Sequence, residues 1–79
     1  MEDGGKAAAE LVEFIAKGIV SEPGDVKVKP CDGGELIELE TNAGDRGRVI
    51  GRQGRIAKSM RAILSASNSG SNSRLEIVD

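Results

Sequence analysis

Val49-Ile50-Gly51-Arg52-Gln53-Gly54-Arg55 is the stretch around which this chain is organised. Two glycines bracket an arginine and a glutamine, with an apolar pair before them and an apolar stripe at helical spacing after them. A bare G-x-x-G is weak evidence. With eleven glycines in 79 residues, roughly one or two such pairs arise by chance. Gly44-Asp45-Arg46-Gly47 is a second instance and reads as an ordinary turn and helix start. Context separates the two, because Gly51 to Gly54 falls between two helical patterns. Glycine lets backbone approach a ligand closely and tolerates positive φ. A helix opening near Gly54 offers unpaired N–H groups and the positive end of a dipole. Arg52 and Arg55 add full charges, and Gln53 can donate or accept. Phosphate is the natural partner of this set. The turn is no P-loop, since no Gly-Lys-Ser/Thr follows, and no dinucleotide fingerprint, since no strand feeds into it.

Outward from this turn, Arg55 to about Ala66 reads as a helix with Ile56, Ala57, Met60, Ile63 and Leu64 on its inner face. Before the turn, Asp45 is placed to N-cap a short helix running to Ile50. Ala7 to Ile19 forms a first helix whose apolar face is Ala7, Ala8, Leu11, Val12, Phe14, Ile15, Gly18 and Ile19. Glu13 and Lys17 pair at i, i+4 in the favourable order, and Ser21-Glu22-Pro23-Gly24 ends the helix. Asp25 to Pro30 alternates apolar and charged residues, Cys31-Asp32-Gly33-Gly34 is turn chemistry, and Glu35 to Glu40 follows as the second strand of a hairpin. Val26, Val28, Ile37 and Leu39 should face inward. Lys27 and Lys29 should share the outer face with Glu38 and Glu40, each opposite-charge pair adding about 0.2–1 kcal/mol. Ser67 to Ser73 reads as a polar loop, Arg74 to Val78 as a final strand, and Met1 to Gly5 as a frayed tail. The order is helix, strand, strand, helix, helix, strand, in one domain over 1–79 with an ordered part of about 7–78.

The net charge of −2 conceals a strong asymmetry. Gly44 to Arg61 holds Arg46, Arg48, Arg52, Arg55, Lys58 and Arg61 against Asp45 alone, a local charge of +5. The remainder, with five basic and twelve acidic residues, carries −7. A basic segment centred on the glycine turn therefore sits in an acidic protein, and the charge argument for nucleic acid is local.

Composition excludes much chemistry. There is no His, Trp or Tyr, and a single Cys. Nucleophilic triads need a base that this chain lacks, carboxylates and one thiol are a poor zinc set, and no cofactor is implied. Phe14 is the sole aromatic, which rules out platforms that stack bases on several rings. A domain this small buries only about 60% of its unfolded surface, so a shallow binding surface is expected rather than a deep substrate cavity. No apolar run approaches a membrane span, and the lone Cys31 suits a reducing compartment. A cytoplasmic, non-enzymatic protein with no membrane association is expected.

Val49-Ile50-Gly51-Arg52-Gln53-Gly54-Arg55, flanked by these elements, resembles the GXXG segment of KH domains. The order of elements resembles the type II, bacterial KH fold: an α+β domain, α-β-β-α-α-β, in which three helices pack on one face of a three-stranded sheet. The length and the stretch Asp45 to Ser65 resemble the KhpA family of small stand-alone bacterial KH proteins, and the likeness runs from about Ala8 to Val78. It implies binding of single-stranded RNA, with a loop clamping the backbone of about four nucleotides. Carried over, Gly51 and Gly54 allow close approach and Arg52 and Gln53 face the phosphates. Val49 and Ile50 form an apolar groove floor, and one strand forms the other wall. By their charge Arg55, Arg48 and Lys58 join the candidate set. Arg46 stands where relatives carry an apolar residue, Ala57 where the wider pattern has a large aliphatic, and Met60 where it has isoleucine. The resemblance also implies post-transcriptional control or RNA chaperoning, and a homodimer or a heterodimer with a KhpB-type KH protein.

Each feature has a plainer reading beside the functional one. Val49 and Ile50 read equally as core, and the more distant cations as solvated charge. Two further functions stand beside RNA binding: a protein-interaction module acting through dimerisation, and a duplex-DNA binder built as a helix-turn-helix. Glycines where base-reading side chains would sit weigh against the second.

Overall fold

The computed structural model describes residues 4–67 and 72–78. The elements follow in the order α1 Lys6–Lys17, β1 Lys27–Cys31, β2 Leu36–Glu40, α2 Arg46–Ile50, α3 Arg55–Ala66 and β3 Arg74–Val78. Short 3₁₀ turns occupy Pro23–Asp25, Asp32–Gly34, Ala43–Asp45 and Arg52–Gly54. The expected α-β-β-α-α-β order is therefore present, with three helices and a three-stranded sheet. The middle of the expected polar loop, 68–71, and most of the expected tail, 1–3, lie outside the described residues.

The hairpin forms in the expected register. Lys27 pairs with Glu40, Val28 with Leu39 and Lys29 with Glu38 across antiparallel β1 and β2. The charged ladder faces outward, although among the described residues none of these four side chains closes an ion pair. Cys31, expected in the turn, is the last residue of β1 and lies opposite Leu36. β3 pairs with β2 in parallel, Ile37 against Leu75 and Leu39 against Ile77, giving the order β1-β2-β3. A parallel pair needs a long crossover, and here the crossover is α2, the glycine turn and α3. Its helices cover the inner face, where Ile37, Leu39 and Leu75 join Val12, Val49, Met60 and Leu64 in one buried cluster.

Two helix faces differ from the pattern expected. On α1 the buried residues are Ala8, Ala9, Val12 and Ala16, and Phe14 is 79% exposed. Leu11 and Ile15 are only partly buried at the edge of the core. The buried stripe is thus rotated toward the alanines. Small side chains let the helix axis settle close to a sheet face already filled by Ile37 and Leu39, whereas a phenylalanine there would hold it away. α1 also ends earlier than expected, at Lys17, with Gly18 as cap. Ile19 and Val20 then turn back on the amide-to-carbonyl bonds to Ala16, well before Pro23 can act. On α3, Ala57, Met60 and Leu64 are buried and Ile56 packs against them, but Ile63 is 47% exposed.

One close backbone approach fixes the start of α1 against the hairpin. A Cβ at Gly34, where φ is +100°, would lie 2.8 Å from both the Cα and the N of Gly5. The Gly34 carbonyl also accepts the Ser73 hydroxyl, and the Arg74 amide donates to the Glu35 carbonyl at 2.8 Å, so β3 begins at the same corner. Gly34→Ala is expected to destabilise the protein by about 2–3 kcal/mol, visible as a lowered thermal midpoint. A midpoint equal to the parent's would show that this corner yields without cost.

Candidate nucleic-acid interface

α2 has only five residues and stops because Gly51 leaves helical geometry, with φ 77° and ψ 170°. Its amide still donates to the Gly47 carbonyl at 2.8 Å. The chain then reverses through Gln53 (φ 58°, ψ 26°) and Gly54 (φ 73°, ψ 15°), both left-handed, and enters α3 at Arg55. Gly51 is required twice over. An L side chain disfavours its φ, and a Cβ there would meet Ile56 at 2.7 Å from Cγ1 and 2.9 Å from Cβ and N. The turn is folded tightly onto the first residues of α3, whereas Gly54 has open space around the corresponding position.

The helix start offers fewer open donors than the sequence implies. The Gly54 amide donates to the Gly51 carbonyl at 3.1 Å, and the Arg55 amide donates to the Arg52 carbonyl. The turn therefore presents chiefly side chains. Arg52, Gln53 and Arg55 are all exposed, and the Arg55 guanidinium donates to Gln53 Oε1 at 3.4 Å. Lys58, one helical turn into α3, is exposed as well.

The other candidates are distributed around this group. Ile50 is 38% exposed beside the turn, while Val49 is fully buried in the core and supports α2 from beneath. Arg48 is exposed, with Nε 3.4 Å from a carboxylate oxygen of Asp45. Arg61 Nε donates to the Leu75 carbonyl at 3.2 Å, tying α3 to β3, and Arg46 is half-buried. Among the described residues no group of His, Cys, Asp or Glu could hold a metal ion, and no helix is long and apolar enough to cross a membrane.

Asp45 plays a part that its position in the sequence does not announce. Its side chain does not cap α2. Asn42 caps the preceding 3₁₀ turn instead, accepting from the Gly44 amide at 2.9 Å. The Asp45 carboxylate, 1% exposed, accepts from the Ser21 amide at 3.0 Å, the Ser21 hydroxyl at 2.8 Å and the Glu22 amide at 3.0 Å. The Ser21 amide is the foremost cause holding this carboxyl below the ordinary carboxylate value. The Ser21 hydroxyl, the Glu22 amide and Arg48 act in the same direction, against the burial that pushes it up. Cys31 moves the other way: burial, then the Glu38 charge, raise its thiol and keep it protonated at neutral pH.

A basic, glycine-hinged turn between two helices, set in the crossover of a three-stranded α+β sheet, defines a KH-type domain. The family model described as KhpA/KhpB, KH domain, matches residues 9–78. The chain is 45% identical over 74 residues to RNA-binding protein KhpA of Treponema pallidum (strain Nichols), covering 89% of this chain and 92% of that protein. It is 42% identical over 73 residues to RNA-binding protein KhpA of Leifsonia xyli subsp. xyli, covering 90% and 96%. To RNA-binding protein KhpA of Clostridium perfringens it is 43% identical over 70 residues, covering 86% and 93%. No solved structure matches the chain. The chain belongs to the KhpA/KhpB family of KH domains.

Two outcomes follow from this geometry. Gly51→Ala should cost about 2 kcal/mol or more, since both φ and the Ile56 contact oppose it, and chemical denaturation will read the loss. Asp45 has a depressed folded pKa, so its contribution is fully present above its ordinary value of 3.8 and is lost as pH falls through the folded value. The gap in thermal midpoint between the parent and Asp45→Asn should therefore be widest above that pH and close below it. A gap independent of pH would contradict the assignment.

Proposed function

We propose that this chain binds single-stranded RNA without catalysing a reaction, gripping the sugar–phosphate backbone at Gly51-Arg52-Gln53-Gly54. The observation that carries this reading is the concentration of exposed Arg52, Gln53, Arg55 and Lys58 around a turn whose backbone is pinned by Gly51. Those groups supply charge-assisted donors to phosphate oxygens. Arg48 extends the basic track along α2, and Ile50 offers an apolar contact for bases where no stacking ring exists. Val49 contributes by holding α2 in place. The relatives' names, RNA-binding protein KhpA, point the same way. Duplex DNA is disfavoured by the overall acidity and by glycines at the start of α3.

In this reading the chain works as a single KH domain in the cytoplasm, as a post-transcriptional regulator or RNA chaperone. One short groove binds weakly, and coupling two sites raises effective concentration. Pairing with a second copy, or with a KhpB-type KH protein, fits the exposure of Phe14 and Ile63, large apolar side chains that a lone domain leaves in water.

Contact with about three to five phosphates of a single strand should give a slope of log affinity against log salt of about −2 to −3.5. Arg52→Asp combined with Gln53→Asp should abolish binding while leaving the fold intact. Fluorescence anisotropy with a short single-stranded RNA measures both. Undiminished affinity in the double variant would move the site elsewhere.

A further inference from the structure

We propose that Asp45 is a positioning residue for RNA binding, anchoring the base of α2 to the Ser21–Glu22 segment and thereby setting where the Gly51–Gly54 turn is presented. The proposal rests on the reading of that turn as the RNA clamp. A five-residue helix has no stability of its own, so its direction must be imposed from outside. At its far end Gly51 is held against Ile56. Along its length Val49 is the buried residue. At its near end the polar attachment is Asp45, through three donors from residues 23 and 24 positions earlier in the chain. A neighbouring stitch, Asn42 Nδ2 to Asp25 Oδ2 at 3.0 Å, joins the same two segments.

The same carboxylate restrains Arg48 from 3.4 Å, so one group sets both the helix that carries the clamp and a cation beside it. Asparagine in its place keeps the shape but offers one acceptor oxygen for three donors and turns an NH₂ toward N–H groups. α2 would then lose its fixed base while the hydrophobic core remained.

Electrostatics alone predicts the opposite sign. Removing a negative charge from beneath a basic surface strengthens attraction to RNA. Loss of affinity in Asp45→Asn therefore reports positioning and not charge. The test compares the parent, Asp45→Asn, Ser21→Ala, Arg52→Asp/Gln53→Asp and Val12→Ala, the last a core substitution on α1. Each is titrated against a short fluorescein-labelled single-stranded RNA of mixed sequence at several salt concentrations, below its thermal transition.

Asp45→Asn is expected to bind about fivefold more weakly or worse, with a shallower salt slope and displaced amide signals for Gly51 and Gly54 in a ¹⁵N-correlated spectrum. Val12→Ala is expected to lose thermal stability yet keep the parent's affinity and slope. Ser21→Ala, which removes one donor only, is expected to show a smaller loss with the same signals displaced, and it carries the test if Asp45→Asn does not fold. Parent-level or tighter binding in the folded Asp45 or Ser21 variant, with the Gly51 and Gly54 signals in place, would overturn the proposal. Full affinity in Arg52→Asp/Gln53→Asp marks a different failure, that of the clamp itself.

Discussion

The parallel pairing of β2 with β3 is the constraint on which the rest of the molecule depends. Antiparallel strands can be joined by a tight turn, and β1 and β2 are joined that way. Parallel neighbours cannot be, because the chain must return to the starting end of the sheet. The return path from Glu40 to Arg74 has to be folded, and it has to cover the apolar side of the strands it connects. Two helices at an angle accomplish both. The α-helix is broken at their junction, and a short, exposed, hydrogen-bonded turn is left at the surface between α2 and α3. The candidate interface occupies that junction.

The distribution of charge follows from the same layout. The outer sheet face carries the alternating Lys and Glu residues of the hairpin, where Lys27 and Lys29 sit across from Glu40 and Glu38, while Glu76 of β3 stands beside Glu38. The crossover has no such acidic counterweight except Asp45, and Asp45 is turned inward. Its charge is stabilised there by hydrogen bonds from Ser21 and Glu22 and by the nearby Arg48. The exposed cations Arg52, Arg55 and Lys58 thus have no acidic neighbour on the surface of the crossover, in a chain whose overall charge is negative. Glycine has two separate uses here. Gly34 allows α1 to begin against the hairpin, and Gly51 lets the turn close onto α3.

Much of this was legible in residue order. The period-2 pattern of the two strands is enough to put Val26, Val28, Ile37 and Leu39 on one face and Lys27, Lys29, Glu38 and Glu40 on the other, because a slip of one residue would expose the apolar set. A slip of two keeps the faces, and the pairing of Lys27 with Glu40 is read from the structure. α3 from Arg55 to Ala66 and β3 from Arg74 to Val78 were equally plain from periodicity. The grouping of Arg52, Gln53 and Arg55 needed only that the glycine turn separate two helices. The faces of the helices were less plain. Phe14 and Ile63 lie on stripes that a helical wheel marks as apolar, yet they are exposed, since a wheel gives the period of a face and not the depth of the neighbour it meets.

Residue order alone was enough for the elements, their succession, the inner and outer faces of the hairpin and the place of the basic turn, because these depend on spacing between near neighbours. Only the packed fold shows that the alanine side of α1 meets the sheet and that Val49 goes into the core beneath α2 while Ile50 stays partly exposed. It alone assigned the Asp45 carboxylate to Ser21 and Glu22 instead of to its own helix. Those outcomes turn on which surfaces fit closely enough to exclude water, and on where a buried charge finds its donors across more than twenty residues of chain. No local pattern encodes that distance.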